Sequence, residues 1–249
     1  KRLTRLFDEI DRDITLRAGS VQVREALKGF SNAFAGFTQP TEELQQIYIT
    51  DNPNPVGRKD FLVSAQVQNP YVWVHTKHHP NFNDVQDAYG YYDLFLLDTE
   101  GNLVYSVFKE NDFATNMLGG EWRDSGLAEA FRLANAAEAG APTVMVDFAP
   151  YGPSYGAPAA FLARPVFDPE GKRLGVIAVQ MPVDALNAAM QGISGLGRTG
   201  AAFAAGPDGL MRNDTDITDD DDILATRVES PALDAALAGE SGFTEMTDA

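Results

Sequence analysis

Two groups of side chains in this sequence could do chemistry. The first is a scatter of rings, Tyr105, Trp122, Phe148, Tyr151 and Tyr155. Aromatic faces with polar tips suit small organic ligands, which sit in apolar pockets oriented by a few polar groups. The other reading for each ring is packing between a sheet and a helix. The loop Pro150-Tyr-Gly-Pro-Ser-Tyr-Gly156 favours the ligand reading for Tyr151 and Tyr155, since a Gly/Pro-rich connection is a poor place for pure packing. The second group is Lys109, Arg123, Asp147, Arg164 and Gln180, polar residues in or beside apolar strands, which need partners if buried. Gln180 follows Val-Ile-Ala-Val, and alternation decides whether it faces the interior or solvent.

Metal and catalytic patterns are weak. His75, His78 and His79 are the three histidines, and a His-x-x-His pair on a helix shares one face. No carboxylate at matching spacing completes the set before Asp84, so ordinary scaffold is expected and no metal. The acidic run Asp214–Asp222 lacks the glycine and terminal glutamate of a calcium loop and reads as a solvated loop. There is no Gly-x-Ser-x-Gly elbow, no phosphate loop with lysine and no His-Glu-x-x-His. Gly195-Leu-Gly-Arg-Thr-Gly200 precedes a strand, where a dinucleotide loop must follow one, so it reads as a linker. We therefore expect a non-enzyme with no catalytic residues and no cofactor.

The chain has 249 residues, 44% of them hydrophobic, which supports a sizeable core. Its net charge of −17 repels phosphate backbones and anionic headgroups, so no nucleic-acid partner is expected. Cysteine is absent, which removes disulfides, zinc thiolates and cysteine nucleophiles from consideration. The chain opens at Lys1 within a helical pattern, and we expect a piece of a longer protein.

The elements that must position these residues follow from periodicity. Leu3, Leu6, Ile10, Ile14, Ala18, Val21, Leu27, Phe30, Phe34 and Phe37 form a helical stripe ended by Pro40. One helix of roughly 35 residues would be about 50 Å long, long enough to pack on a partner chain. Thr41 with Glu42 and Glu43 starts another helix. A less regular helical stretch runs from Phe61 to about Ala88, interrupted at Pro70 and Pro80. After Gly90 the period becomes two. Tyr91–Asp98 and Leu103–Phe108 predict a hairpin, Ser125 caps a helix to about Glu138, and Thr143–Phe148, Ala159–Phe167 and Leu174–Met181 predict three antiparallel strands. The fold class is α+β with helices on one side of the sheet. A helix at Asp184–Gln191 and a linker at Gly192–Gly200 lead to a partial repeat of this unit: a Pro207-Asp-Gly209 turn, a helix at Pro231–Leu237 and a strand starting at Phe243.

An ordered set of stretches resembles one family. They are Tyr48-Ile49 with Asn52-Pro53 and Gly57-Arg-Lys59; Gly90-Tyr-Tyr-Asp-Leu-Phe-Leu96; Val104-Tyr-Ser-Val-Phe-Lys-Glu110 with Asp112-Phe-Ala-Thr115; Asp147-Phe-Ala-Pro-Tyr151; Gly156-Ala-Pro-Ala159; Gly175-Val-Ile-Ala-Val-Gln-Met181; and Gly206-Pro-Asp-Gly-Leu-Met-Arg212. The set is similar to the periplasmic double Cache sensor regions of chemoreceptors, histidine kinases and receptor cyclases. The resemblance implies a long N-terminal helix with helical lead-in over 1–88, a membrane-distal PAS-like ligand-binding module over 89–191, and a linker with part of a membrane-proximal module over 192–249. It also implies a homodimer through the N-terminal helix and transmembrane helices flanking this sequence. The expected function is ligand sensing for signal transduction, with Tyr105, Lys109, Trp122, Arg123, Asp147, Tyr151, Tyr155 and Gln180 as the expected small-molecule site. The alternative is a module that engages a periplasmic partner protein or acts as a spacer. The amino-acid-binding subgroup carries an Asp where this chain has Gln180, and its Arg-aromatic clamp has no match beyond Trp122-Arg123. A neutral, aromatic or anionic ligand is therefore expected ahead of an α-amino acid.

Overall fold

The computed structural model describes residues 2–191, 202–215 and 221–242. They divide into two compact units, Phe7–Pro182, and Lys1–Leu6 with Val183–Ala249. Among them no helix is long and apolar enough to cross a membrane.

The larger unit is built on a five-stranded antiparallel sheet. Its strands are β1 (Leu94–Asp98), β2 (Leu103–Ser106), β3 (Val144–Tyr151), β4 (Ala157–Phe167) and β5 (Arg173–Gln180), in the order β2-β1-β5-β4-β3. This α+β arrangement is consistent with a PAS-like module. The expected hairpins stand. Asp98 accepts from the N–H groups of Glu100 and Asn102 in the first turn, and Asp168 does the same for Glu170 and Lys172 in the second. Residues directly opposite in register share a face, so Phe95, Leu97, Val176, Ala178, Ala163 and Phe161 stand on one side. Leu94, Leu96, Tyr105, Ile177 and Val179 stand on the other. β1 and β5 are buried along nearly their whole length, as expected where both faces are covered. Glycine is required at 175, where a Cβ would lie 2.1 Å from the Leu97 carbonyl oxygen.

One face is covered by α5 (Gly126–Ala136). Its start is fixed by Ser125, whose hydroxyl accepts from Ala128 N–H. Leu127, Ala130, Phe131 and Ala134 bury against Phe95, Phe161 and Val176. Each large apolar side chain so buried contributes about 1.5–3 kcal/mol. The other face is covered by α2 (Val21–Phe34) and α4 (Pro70–Tyr89). Phe30 stacks on Tyr105 at 4.8 Å, and Phe82 reaches the same ring at 5.2 Å.

The leading helical stripe is two helices, α1 (Arg2–Ala18) and α2. The break falls at Gly19–Ser20, where Ser20 accepts from Val23 N–H as the cap of α2 and Arg24 donates to the Gly19 carbonyl. A side chain that offers the backbone this local bond competes with helix continuation. α1 is nevertheless tied to the sheet. Buried Asp13 accepts from Tyr91 Oη at 3.0 Å and from Arg17 at 2.7 Å. Thr143 donates to Asp11, and Arg164 donates to Thr143 and to the Ala141 carbonyl. The short α3 (Pro40–Gln45) follows, with Glu43 accepting from the N–H groups of Thr38 and Gln39. α4 begins at Pro70, where the missing N–H costs nothing, and continues through Pro80.

In the smaller unit α6 (Val183–Gln191) and α7 (Pro231–Leu237) lie where the sequence expects them, α7 capped by Ser230. The Gly206–Gly209 turn closes a bridge between Ala205 and Met211. Two aspartates that bound the acidic run serve the backbone: Asp214 accepts from Asp222 and Ile223 N–H, and Asp222 from Thr215. The linker 192–200 and the strand expected at Phe243 lie outside the described residues.

Candidate functional site

The α5-covered face has a polar end, where β1 begins and β5 finishes. Asp93 immediately precedes β1 and Gln180 closes β5, with the Gln180 N–H donating to the Asp93 carbonyl at 3.0 Å. Continuing the β1–β5 register sets these two residues opposite one another, on the side of Phe95 and Ala178. Both are buried, at 1% and 3% exposure.

Asp93 organises the chain that leaves β2. Its Oδ1 accepts from the N–H groups of Leu94, Val107 and Phe108, at 2.7, 2.8 and 3.1 Å. Its Oδ2 has no partner, and neither does Oε1 of Gln180. The same loop carries Glu110 and Asp112. Asp112 is fully buried; its Oδ2 accepts from the Tyr151 phenol, while its Oδ1 is unpartnered. Glu110 accepts from Tyr92 Oη at 2.8 Å and Ser154 Oγ at 2.6 Å, so the β2–α5 and β3–β4 connections are fastened by carboxyl oxygens. Above them lies Trp122. A Cβ on Gly152 would meet its ring at 2.4 Å, so the indole rests on bare backbone, and its Nε1 donates to the Asn111 carbonyl.

The electrostatics follow from burial. Removal from water pushes the Asp112 carboxyl up to about 7, opposed by the Tyr151 bond and aided by Glu110. Burial, then Asp112 and Glu110, holds Asp93 well above the usual carboxylate range. Glu110 is raised by burial, against its bonds to Ser154 and Tyr92.

Of the residues expected from sequence, the structure brings Tyr151, Gln180 and Trp122 to this end of the sheet. Tyr105 points to the other face, where its phenol donates to His79 Nδ1 at 2.7 Å. Lys109 is buried with φ 56°, and its ammonium donates to the carbonyls of Ser106 and Val107 beneath the Tyr48 and Tyr105 rings. Burial depresses it to about 7, with Asp93 and Asp60 opposing. Arg123 is exposed beside Asp124, and Tyr155 is 78% exposed. Asp147 lies on the exposed side of a bulge in β3, accepting from Phe148 N–H. Phe148 is buried, outside the cluster around α5.

Asp93, Glu110 and Asp112 were not among the residues expected to bind. The signal available was Asp93 itself, a carboxylate directly before Leu-Phe-Leu-Leu at the start of a strand buried on both faces. The histidines pack under the helices. His79 donates from Nε2 to the Asp60 carbonyl and stacks on His75 at 4.3 Å, and burial, helped by Lys109, lowers it to about 3.

No protein-family model and no curated protein sequence matches this chain. Solved structures do. The sensor domain of the Vibrio cholerae histidine kinase DctB is 18% identical over 75% of this chain and 63% of its own length, with a TM-score of 0.39. The ligand-binding domain of the Pseudomonas fluorescens chemoreceptor CtaA, in complex with L-serine, is 15% identical over 84% and 74%, at 0.38. The sensory domain of the Campylobacter jejuni chemoreceptor Tlp3 is 11% identical over 85% and 74%, at 0.41. The chain spans 26% of an extracellular ligand-binding receptor from Desulfohalobium retbaense that it also matches.

Proposed function

We propose that this chain is the extracytoplasmic ligand-sensing part of a transmembrane receptor of the chemoreceptor type, and that it binds a small molecule without transforming it. The observation that carries the reading is the gathering, at one end of the sheet, of three buried unpartnered oxygens: Asp93 Oδ2, Asp112 Oδ1 and Gln180 Oε1. A buried atom of this kind that nothing pairs with costs roughly 1–3 kcal/mol. A fold keeps a group of them where something else supplies the partner. The ordered motif set supports the receptor context, with 89–191 as the membrane-distal module, 192–249 as part of the proximal one, and membrane helices flanking the sequence.

A signal needs the ligand to favour one arrangement of α1 over another. The connection available is short: Asp93 is two residues from Tyr91, and Tyr91 holds Asp13 of α1. Leu16 and Val21, exposed at 68% and 61%, supply apolar surface for the homodimer proposed along these helices. Ultracentrifugation tests that pairing, and a monomer at every attainable concentration would remove it.

One observation favours a second reading. Val56, Phe61, Val63, Val67 and Trp73 are all exposed within one stretch of the chain, which suits a periplasmic partner protein. Thermal melts against a metabolite library separate the two. Small molecules that raise the melting temperature support direct sensing, and stabilisation by a protein partner alone supports the other.

A further inference from the structure

We propose that the ligand is a small primary ammonium cation without a carboxylate, held through its N–H groups by Asp93 Oδ2, Asp112 Oδ1 and Gln180 Oε1. The inference rests on the reading of the site given above and adds its chemistry. With both carboxyl groups ionised, all three unpartnered atoms are acceptors, so a molecule that satisfies them in that state brings donors. Two belong to buried carboxyl groups, and Lys109, the cation that acts on Asp93, gives its N–H groups to backbone carbonyls rather than to either carboxyl. Buried carboxylates are stable when paired, and an ammonium group placed among them restores the pairing that burial removed.

The same inventory rejects a carboxylate on the ligand. Lys109 Nζ is spent on the Ser106 and Val107 carbonyls. Arg123 lies exposed beside Asp124, and Arg132 donates to the Arg123 carbonyl. An amino acid would set its carboxylate against Glu110 and Asp112 with no cation to receive it. An anionic ligand, one of the classes the sequence favoured over an α-amino acid, meets the same repulsion.

Binding a cation here is coupled to protons. The groups that face Asp112 are Tyr151 from β3, Glu110 from its own loop and Asp93 before β1; those acting on Asp93 are Asp112, Glu110 and Lys109. Since the ionised form pairs with the ammonium, binding tightens as pH rises through about 7 and a proton is released.

The test is calorimetric titration of the whole chain with propylamine, ethanolamine and putrescine. Propanol, ethylene glycol, propionate and alanine are the matched controls. An amine is expected to bind about tenfold tighter at pH 8 than at pH 6, with proton release seen as a buffer-dependent heat. Asp112→Asn and Gln180→Leu are expected to lose at least tenfold in affinity; Asp93 is left intact because it holds three backbone N–H groups. Equal amine affinity at pH 6 and 8, or full affinity in Asp112→Asn, would overturn the proposal. If propanol, propionate or alanine binds in a Gln180-dependent way and the amines do not, the cation is wrong and the sensing site stands. If nothing in any class binds, both fall.

Discussion

The phenol of Tyr151, the last residue of β3, donates to Asp112 Oδ2 at 2.5 Å, joining two connections at the polar end of the sheet. The bond occupies one carboxyl oxygen and leaves the other bare. Tyr151→Phe keeps the ring against Phe161 and removes the donor. We expect a loss of about 1–3 kcal/mol by urea unfolding. An unchanged midpoint would show that the bond is not made in solution.

Asp112 gives a pH signature with a definite sign. Its folded acidity constant, about 7, lies above the unfolded value, so the native state holds more protons between roughly pH 4 and 7. This group therefore makes the protein less stable as pH rises across that window. Relative to the parent, Asp112→Asn should gain stability steadily from pH 4 to 7 and then level off. A flat difference across the window would mean that the carboxyl titrates normally.

His79 acts in the opposite direction. Lowered to about 3, it binds fewer protons when folded than when unfolded. Its contribution is complete above roughly pH 6.5 and is lost as pH falls towards 3. His79→Gln, which cannot titrate, should narrow its stability deficit on acidification over that range. Parallel melting curves for the two proteins would contradict the assignment.

Gly152 is a steric requirement of Trp122. A methyl group there would sit 2.4 Å from the indole. Gly152→Ala should displace the ring and red-shift its emission, measured in a Trp73→Phe background so that Trp122 is the sole indole. An unaltered spectrum would mean that the ring does not rest on this backbone.

Much of the fold is legible in the sequence. Apolar runs of strand length mark all five strands, Asp98 and Asp168 mark the hairpin turns, and Ser125 marks the start of α5. The break at Gly19–Ser20 is hidden because the apolar stripe continues across it. The site is less legible. Both faces of the sheet are buried, so alternation cannot say which face Tyr105 or Lys109 serves, and only the packing of α2 and α4 decides. Asp93 and Asp112 look like ordinary loop carboxylates until the fold removes them from water.

The central claim, a small-molecule site at the polar end of the sheet, is tested most directly by melting the parent and Gln180→Leu side by side against a metabolite library. At a hundred times its dissociation constant a ligand stabilises by about 2.7 kcal/mol, a shift on the order of 5 °C or more for a domain of this size. At least one compound is expected to shift the parent by this much and Gln180→Leu by about half of it or less, the free variant melting at or above the parent because an unpartnered oxygen has gone. A library that moves neither protein, or moves both equally, would contradict the claim.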